Sequence, residues 1–286
     1  EAVKTGKPEG LKVFGNWSTV YEALSELPEQ VRKSWFGFDH YYSDESFPIV
    51  LPILFESNPK RIMDVGGNTG KFSIKCAEFN KDVKVTILDL PGQLADAYKN
   101  IEAHGFMDRI DGYPINLLDH SKAYPTGYDI VWMSQFLDCF SQEDIIELLK
   151  KAKSAINKNG AVYIMETFWD NQRTDAGRYS LVATSLYFTC IANGCSQMYH
   201  TQDMLNLIEK AGLKVEMKKT SEYKMPEEFK NELKENSELK TAFEALTPGR
   251  QRGYLLYFSA PKQSKTRETR VKKYIKQIID GKGLND

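Results

Sequence analysis

Between about residue 60 and residue 260, short apolar runs alternate with stretches whose apolar positions recur every three to four residues. The runs at 61–65, 83–88, 128–133 and 161–165 predict strands, and the weaker run at 109–113 predicts another. Helices are predicted over 70–79, 93–104 and 142–156, with a helix-rich stretch from 166 to about Gly212. The turn 157–160, built from Asn157, Lys158, Asn159 and Gly160, is expected to end the third helix with residues that tolerate positive φ. Runs at 213–217 and 254–258 are expected to close the sheet, giving about seven strands. Strand–helix alternation with continuous apolar strands predicts an α/β fold, a doubly wound parallel sheet covered on both faces.

The flanks differ from this body. Residues 1–58 are rich in aromatics, among them Trp17, Tyr21, Trp35 and Tyr42, and read as a helical segment packed over the active edge of the sheet. The chain opens on Glu1 rather than Met, as a trimmed chain or a fragment does, and shows no signal peptide. The main domain is expected over 59–261, with a Lys/Glu-rich helical insertion near 222–250 ahead of the last strand. Residues 262–286 form a polar helix or tail, with Val271, Tyr274, Ile275, Ile278 and Ile279 at helical spacing.

Composition narrows the class. The chain has 286 residues and a formal net charge of -1, which provides no general attraction to nucleic acid or anionic membranes. No apolar run approaches the roughly 18 residues that span a bilayer. Cys76, Cys139, Cys190 and Cys195 have no CxxC spacing, so reduced thiols in a cytoplasmic protein are expected rather than a zinc site.

The chemistry lies first in the loop after the first strand. Asp64, Gly66, Gly67 and Gly70 form a DxGxxxG run, with glycine where the chain must turn sharply and approach a ligand. The run is not the dinucleotide GxGxxG, because Asn68 and Lys71, or Thr69 and Phe72, stand where that motif needs glycine. Asp64 is placed to hold the loop amides or to accept from a ligand ammonium. Asp89 ends the second strand 25 positions later, where a carboxylate accepts the hydroxyls of a ribose. Together the two features indicate an adenosine-bearing ligand. Nicotinamide enzymes share the pairing, so it leaves the cofactor open.

The loop from Asp64 to Gly70, followed by Asp89, Leu90 and Pro91, resembles the S-adenosylmethionine-dependent small-molecule O-methyltransferases of the caffeic-acid and hydroxyindole type. The resemblance runs from about Trp17 to Gly212. It implies a class I methyltransferase Rossmann-like sheet and S-adenosyl-L-methionine as cofactor. It also implies a homodimer, with residues 1–58 as the remnant or end of an N-terminal dimerisation domain. On the same grounds Gly66 and Gly67 lie beside the methionine part of the cofactor, Asp89 and Leu90 at the ribose, and Asn116 and Leu117 at adenine. Ser134 replaces a family lysine. The family's catalytic His-Asp-Trp appears here as Asp138, Cys139 and Phe140, so the usual general base is absent.

Asp138, buried among Phe136, Leu137, Phe140 and Trp169, is one candidate base; burial raises a carboxyl toward useful basicity. His40 is the other. An acceptor pocket is expected from Phe136, Glu166, Trp169, Tyr187 and Met198, suited to a flat aromatic small molecule. The function expected is methyl transfer to a hydroxyl of such a molecule. A non-catalytic S-adenosylmethionine-binding module is the alternative, with a nicotinamide-dependent oxidoreductase behind it. No metal and no nucleic-acid or membrane partner is expected.

Overall fold

In the computed structural model, residues 1–24, 26–43, 46–172, 174–215, 225–259, 261 and 263–284 are described, with the side chains of 38–42 and 248 left aside. The chain divides into two compact units, Glu1–Val215 and Glu216–Asp286.

The first unit is built on five parallel strands: β1 (Arg61–Val65), β2 (Lys84–Asp89), β3 (Ile110–Pro114), β4 (Tyr128–Ser134) and β5 (Ile156–Met165). Their order is β3-β2-β1-β4-β5. Val65 pairs with Leu88 on one side and Met133 on the other, so the carboxyl ends of the three central strands are level. The chain winds outward one way from β1 to β3 and the other way from β4 to β5. The crevice beyond β1 and β4 is thus the topological switch point, where open α/β sheets bind ligands. Central strand residues such as Ile62, Met63 and Val131 are fully buried, as a sheet covered on both faces requires.

Helices α1 (Ala2–Thr5), α2 (Val20–Ala23), α3 (Glu29–Ser43) and α4 (Phe47–Leu54) precede the sheet. Helices α5 (Lys71–Phe79), α6 (Pro91–Ala103), α7 (Gln142–Ala155), α8 (Asp175–Phe188) and α9 (Thr201–Lys210) follow within and after it. Local chemistry sets their starts. Pro91 opens α6, where its missing N–H leaves no bond unmade. The Ser141 hydroxyl accepts from the Asp144 N–H at 3.2 Å and donates to the Asp144 carboxylate at 2.7 Å, a reciprocal cap for α7. His200 caps α9 by accepting from the Gln202 N–H at 3.0 Å.

Three expectations are corrected. Residues 157–160 are not a helix-ending turn; they lie inside β5, which carries an irregularity where it pairs with Tyr128 and Ile130. Leu213–Val215 belong to no strand, and 216–217 fall outside the described residues. Residues 254–258 are helical, within α12. The reason is period: Tyr254 and Phe258, four apart, are both fully buried, and a helix places such residues on one face.

Among its described residues the second unit is built from helices α10 (Glu227–Glu235), α11 (Ser237–Ala245), α12 (Pro248–Ser259) and α13 (Ser264–Ile279). Phe229, Leu239, Tyr254, Phe258, Val271 and Ile278 form its core. Arg267 grips Glu228 through two N–H···O bonds of 2.9 and 2.7 Å, tying α13 to α10. The residues read as an insertion before a last strand therefore belong to a unit with its own core. Among the described residues no helix is long and apolar enough to cross a membrane.

A Phe258→Ala substitution removes a fully buried ring from that core, and a loss of about 3–5 kcal/mol is expected in urea unfolding. A loss below about 0.5 kcal/mol, as at surface positions, would contradict this packing.

Candidate functional site

The glycine loop leaves β1 with Gly66 at φ 70°, Asn68 at φ 51° and Gly70 at φ 74°. Three left-handed residues in five fold the chain back on itself. A Cβ on Gly66 would sit 2.5 Å from the Phe136 ring, so only glycine lets the loop and that ring meet. Asp89 closes the loop. Its Oδ2 accepts the Asn68 N–H at 2.8 Å and its Oδ1 accepts the Leu90 N–H at 2.7 Å. Each carboxylate oxygen keeps further acceptor capacity. Burial pushes the Asp89 carboxyl up to about 6, against the lowering effect of the two amides.

Behind the loop lies Asp64, which accepts from the Ser73 hydroxyl at 2.7 Å. Burial pushes it up to about 7, with the nearby Asp89 charge adding to the rise. Asp64 thus supports the loop from beneath and does not line the cavity above it. The same holds for Gly67, whose missing side chain makes room for Asp64 and Ile87, and for Gly70, which starts α5 against Ile87 and Ala97. Ser134 pairs with Met165 in the sheet and lines neither of the two cavities described next.

Two adjoining cavities open at the switch point. The first encloses about 830 Å³, solvent at its mouth included, and is walled by Gly66, Asn68, Asp89, Leu90, Asn116 and Leu117 on the sheet side. Phe136 lines this cavity rather than the second, in edge contact with Phe140 at 4.8 Å. The second encloses about 550 Å³ and reaches Asp138, Thr167, Phe188, Gln197 and Met198. Tyr21, Trp35, Gln135 and Cys139 line both.

Asp138 rides on a single 3-10 turn, Leu137–Cys139, that is pinned along its length. Glu166 Oε1 accepts the Phe136 and Leu137 N–H groups at 2.9 and 2.8 Å. The Gln197 N–H donates to the Asp138 carbonyl at 2.9 Å, and the Tyr199 hydroxyl donates to the Phe140 carbonyl at 2.7 Å. Burial raises the Asp138 carboxyl to about 6. Burial and the Asp138 charge also push Glu166 well above the carboxylate range. Glu166 is therefore a clamp on the turn, not a wall of the pocket.

Two other expected pocket residues stand elsewhere. Trp169 packs edge-on against His200 at 5.1 Å, and Tyr187 is 55% exposed. Met198 lines the second cavity. The His40 side chain lies outside the described residues. Sequence reasoning missed Gln135, which holds φ 46° directly after β4. Its position after the strand at the switch point was the available signal. Tyr21 and Trp35 were seen only as members of an aromatic segment; they meet edge to face at 6.4 Å, and Trp35 meets Phe188 at 5.6 Å.

Residues 44–214 match the O-methyltransferase domain family. The chain belongs to that family. The L-tyrosine C(3)-methyltransferase of Streptomyces lavendulae is 27% identical over 219 residues, covering 76% of this chain and 58% of that protein. The solved S-adenosylmethionine-dependent methyltransferase SibL superposes with a TM-score of 0.57 at 26% identity, covering 74% of this chain and 61% of that one. Residues 222–281 match a second family, described as bacteriocin-protection, YdeI or OmpD-associated. Protein YdeI of Bacillus subtilis (strain 168) is 63% identical over 79 residues, 28% of this chain and 40% of that protein. The chain thus spans between 40% and 58% of the length of these two curated relatives. The sheet falls inside the methyltransferase domain match, with every cavity-lining residue but Thr19, Tyr21, Glu22, Leu24 and Trp35; the α10–α13 unit carries the other match.

Asp64 links the domain to pH. Its carboxyl holds a proton to about 7 when folded against 3.8 ordinarily, so the folded state binds more protons between those values. Its stabilising contribution is complete below about pH 4 and is lost as the pH rises through about 7. Urea unfolding across that range should show native stability falling relative to Asp64→Asn; parallel curves would contradict the buried setting.

Proposed function

We propose that the domain transfers a methyl group from S-adenosylmethionine to a hydroxyl of a small aromatic molecule, with Asp138 as general base. The observation that carries this is the pair of adjoining cavities: one on the glycine loop and Asp89, the other ending on a buried carboxyl of raised basicity. The first fits the cofactor by its chemistry. Asp89 has acceptor capacity left for ribose hydroxyls, Leu90 and Leu117 present apolar faces, and Asn116 has an amide suited to adenine. Gly66 leaves the backbone open to the methionine part. When bound, S-adenosylmethionine supplies an electrophilic methyl on a sulfonium.

The protein's own part is alignment and proton removal. The pinned 3-10 turn fixes Asp138 in place, and holding reactants in line supplies much of a displacement's acceleration. Asp138 accepts the proton of the acceptor hydroxyl. A carboxyl near 6 is a stronger base than an exposed one near 4, and is still ionised at neutral pH. A phenolate so formed is nucleophilic at oxygen and at the ring carbon beside it. The name of the Streptomyces lavendulae relative records methylation at carbon, so product analysis must distinguish the two positions.

This reading extends to a cytoplasmic homodimer. Four free thiols suit a reducing compartment, and Tyr179, Val182 and Leu186 give α8 an exposed apolar stripe. A module that binds the cofactor without transfer keeps the first cavity but leaves the Asp138 setting without purpose. A nicotinamide enzyme would need the glycine spacing this loop lacks.

Calorimetry should show binding of S-adenosylmethionine and S-adenosylhomocysteine but not NAD. With a phenol panel, kcat should rise with pH through about 6 and then level, because only ionised Asp138 accepts the proton. Asp138→Asn should lower kcat by roughly 10²–10⁴-fold. Full turnover in that variant would remove Asp138 from the mechanism; NAD binding in place of the sulfonium compound would overturn the function.

A further inference from the structure

The charge lining the two cavities has one sign. Asp138 lines the second cavity, and Glu22 and Asp89 line the first. Glu166 lies directly behind the Asp138 turn, and its Oε2 is buried with no hydrogen-bond partner. Among the described residues no Lys, Arg or His lines either cavity, and no ion pair reaches Asp138 or Glu166. Most buried carboxylates have a cationic partner or several hydrogen-bond donors. Among the described residues the Asp138 carboxylate accepts only from the Cys139 thiol at 3.4 Å and from its own backbone N–H.

The rest of the second cavity is neutral. Gln135, Thr167, Ser196 and Gln197 can donate hydrogen bonds, but none can balance a charge. Tyr21 stays protonated, its hydroxyl pushed well up by burial and by the Cys139 and Asp138 groups beside it. The rest of the wall joins Cys139, Leu181 and Met198 to aromatic rings, with Trp35 set edge-on between Tyr21 and Phe188. Ring faces in a dry pocket attract cations.

We infer that the acceptor cavity selects aromatic substrates carrying an amine and rejects those carrying a carboxylate. The inference rests on the reading of this cavity as the acceptor site. A protonated amine supplies the positive charge that the described lining residues lack, held by the Trp35 and Tyr21 rings within Coulomb range of Asp138. A substrate carboxylate brings a further negative charge into a low-dielectric space already holding Asp138, with no cationic side chain among the described lining residues to meet it. The acceptor hydroxyl keeps its place at Asp138.

The test compares three probes of one ring size: tyramine, 4-ethylphenol and 4-hydroxyphenylacetate. Each is titrated calorimetrically into protein saturated with S-adenosylhomocysteine at pH 8, where Asp138 is ionised. Tyramine should bind at least about tenfold more tightly than 4-hydroxyphenylacetate, with 4-ethylphenol between them. Asp138→Asn should shrink that ratio by about threefold or more while tyramine still binds. Equal affinities, the reverse order, or no binding of any probe would overturn the inference. Formation of S-adenosylhomocysteine from S-adenosylmethionine is read separately. Turnover of the three probes without charge preference would overturn this selectivity and leave methyl transfer standing. Amine-selective binding with no turnover would do the opposite.

Discussion

The functional end of the sheet depends on one carboxylate. Asp89 accepts the Asn68 and Leu90 amides, and so ties the far side of the glycine loop to the end of β2. The tie acts beside the Gly66 N–H to Leu88 carbonyl bond and the Asn100 amide on the Thr69 carbonyl, and together they hold a loop with left-handed residues at Gly66, Asn68 and Gly70 in one conformation. The fixed loop in turn sets Gly66 against Phe136, and Phe136 begins the turn that carries Asp138. A backbone geometry at β1 is thereby transmitted across the switch point to the proposed base after β4. Burying Asp64 and Asp89 side by side raises both carboxyls and opposes stability near neutral pH. A cationic cofactor suits such a site, because its charge acts in the opposite direction.

Much of the methyltransferase unit was legible in the sequence. The five strands described are the first five that alternation predicts; β1, β2 and β4 carry mostly apolar runs, while β3 is weaker and β5 extends back through the polar residues 157–159. Asp89 stood out as a strand-end carboxylate at a known spacing, whereas Leu90, Asn116 and Leu117 came from the family resemblance; all four line the first cavity. What the sequence could not separate was lining from support. Asp64, Gly67 and Gly70 stand in the same motif as Gly66, yet only the folded loop shows which of them faces the cavity. Glu166 was expected in the pocket because it follows β5. In the fold, two backbone amides turn its carboxylate toward the Asp138 turn.

The last seventy residues illustrate another limit. Tyr254, Leu255, Leu256, Tyr257 and Phe258 form a short apolar run, and such a run does not distinguish a strand from a buried helix segment. The expected closing strand is a helix in the structure. The core of α10–α13 decides it: Phe229, Phe243 and Val271 need partners on a single face, and only a helix brings Tyr254 and Phe258 to that face together. The family match over 222–281 is consistent with a unit of separate origin. Its helices carry none of the cavity residues.

A crystal structure of the protein with S-adenosylhomocysteine is the most direct test of the Asp89-centred site. The ribose hydroxyls should lie within hydrogen-bond distance of the Asp89 carboxylate, with adenine against Leu117 and the sulfur facing the cavity that ends on Asp138. A ligand bound with no contact to Asp89, or bound away from the glycine loop, would contradict it.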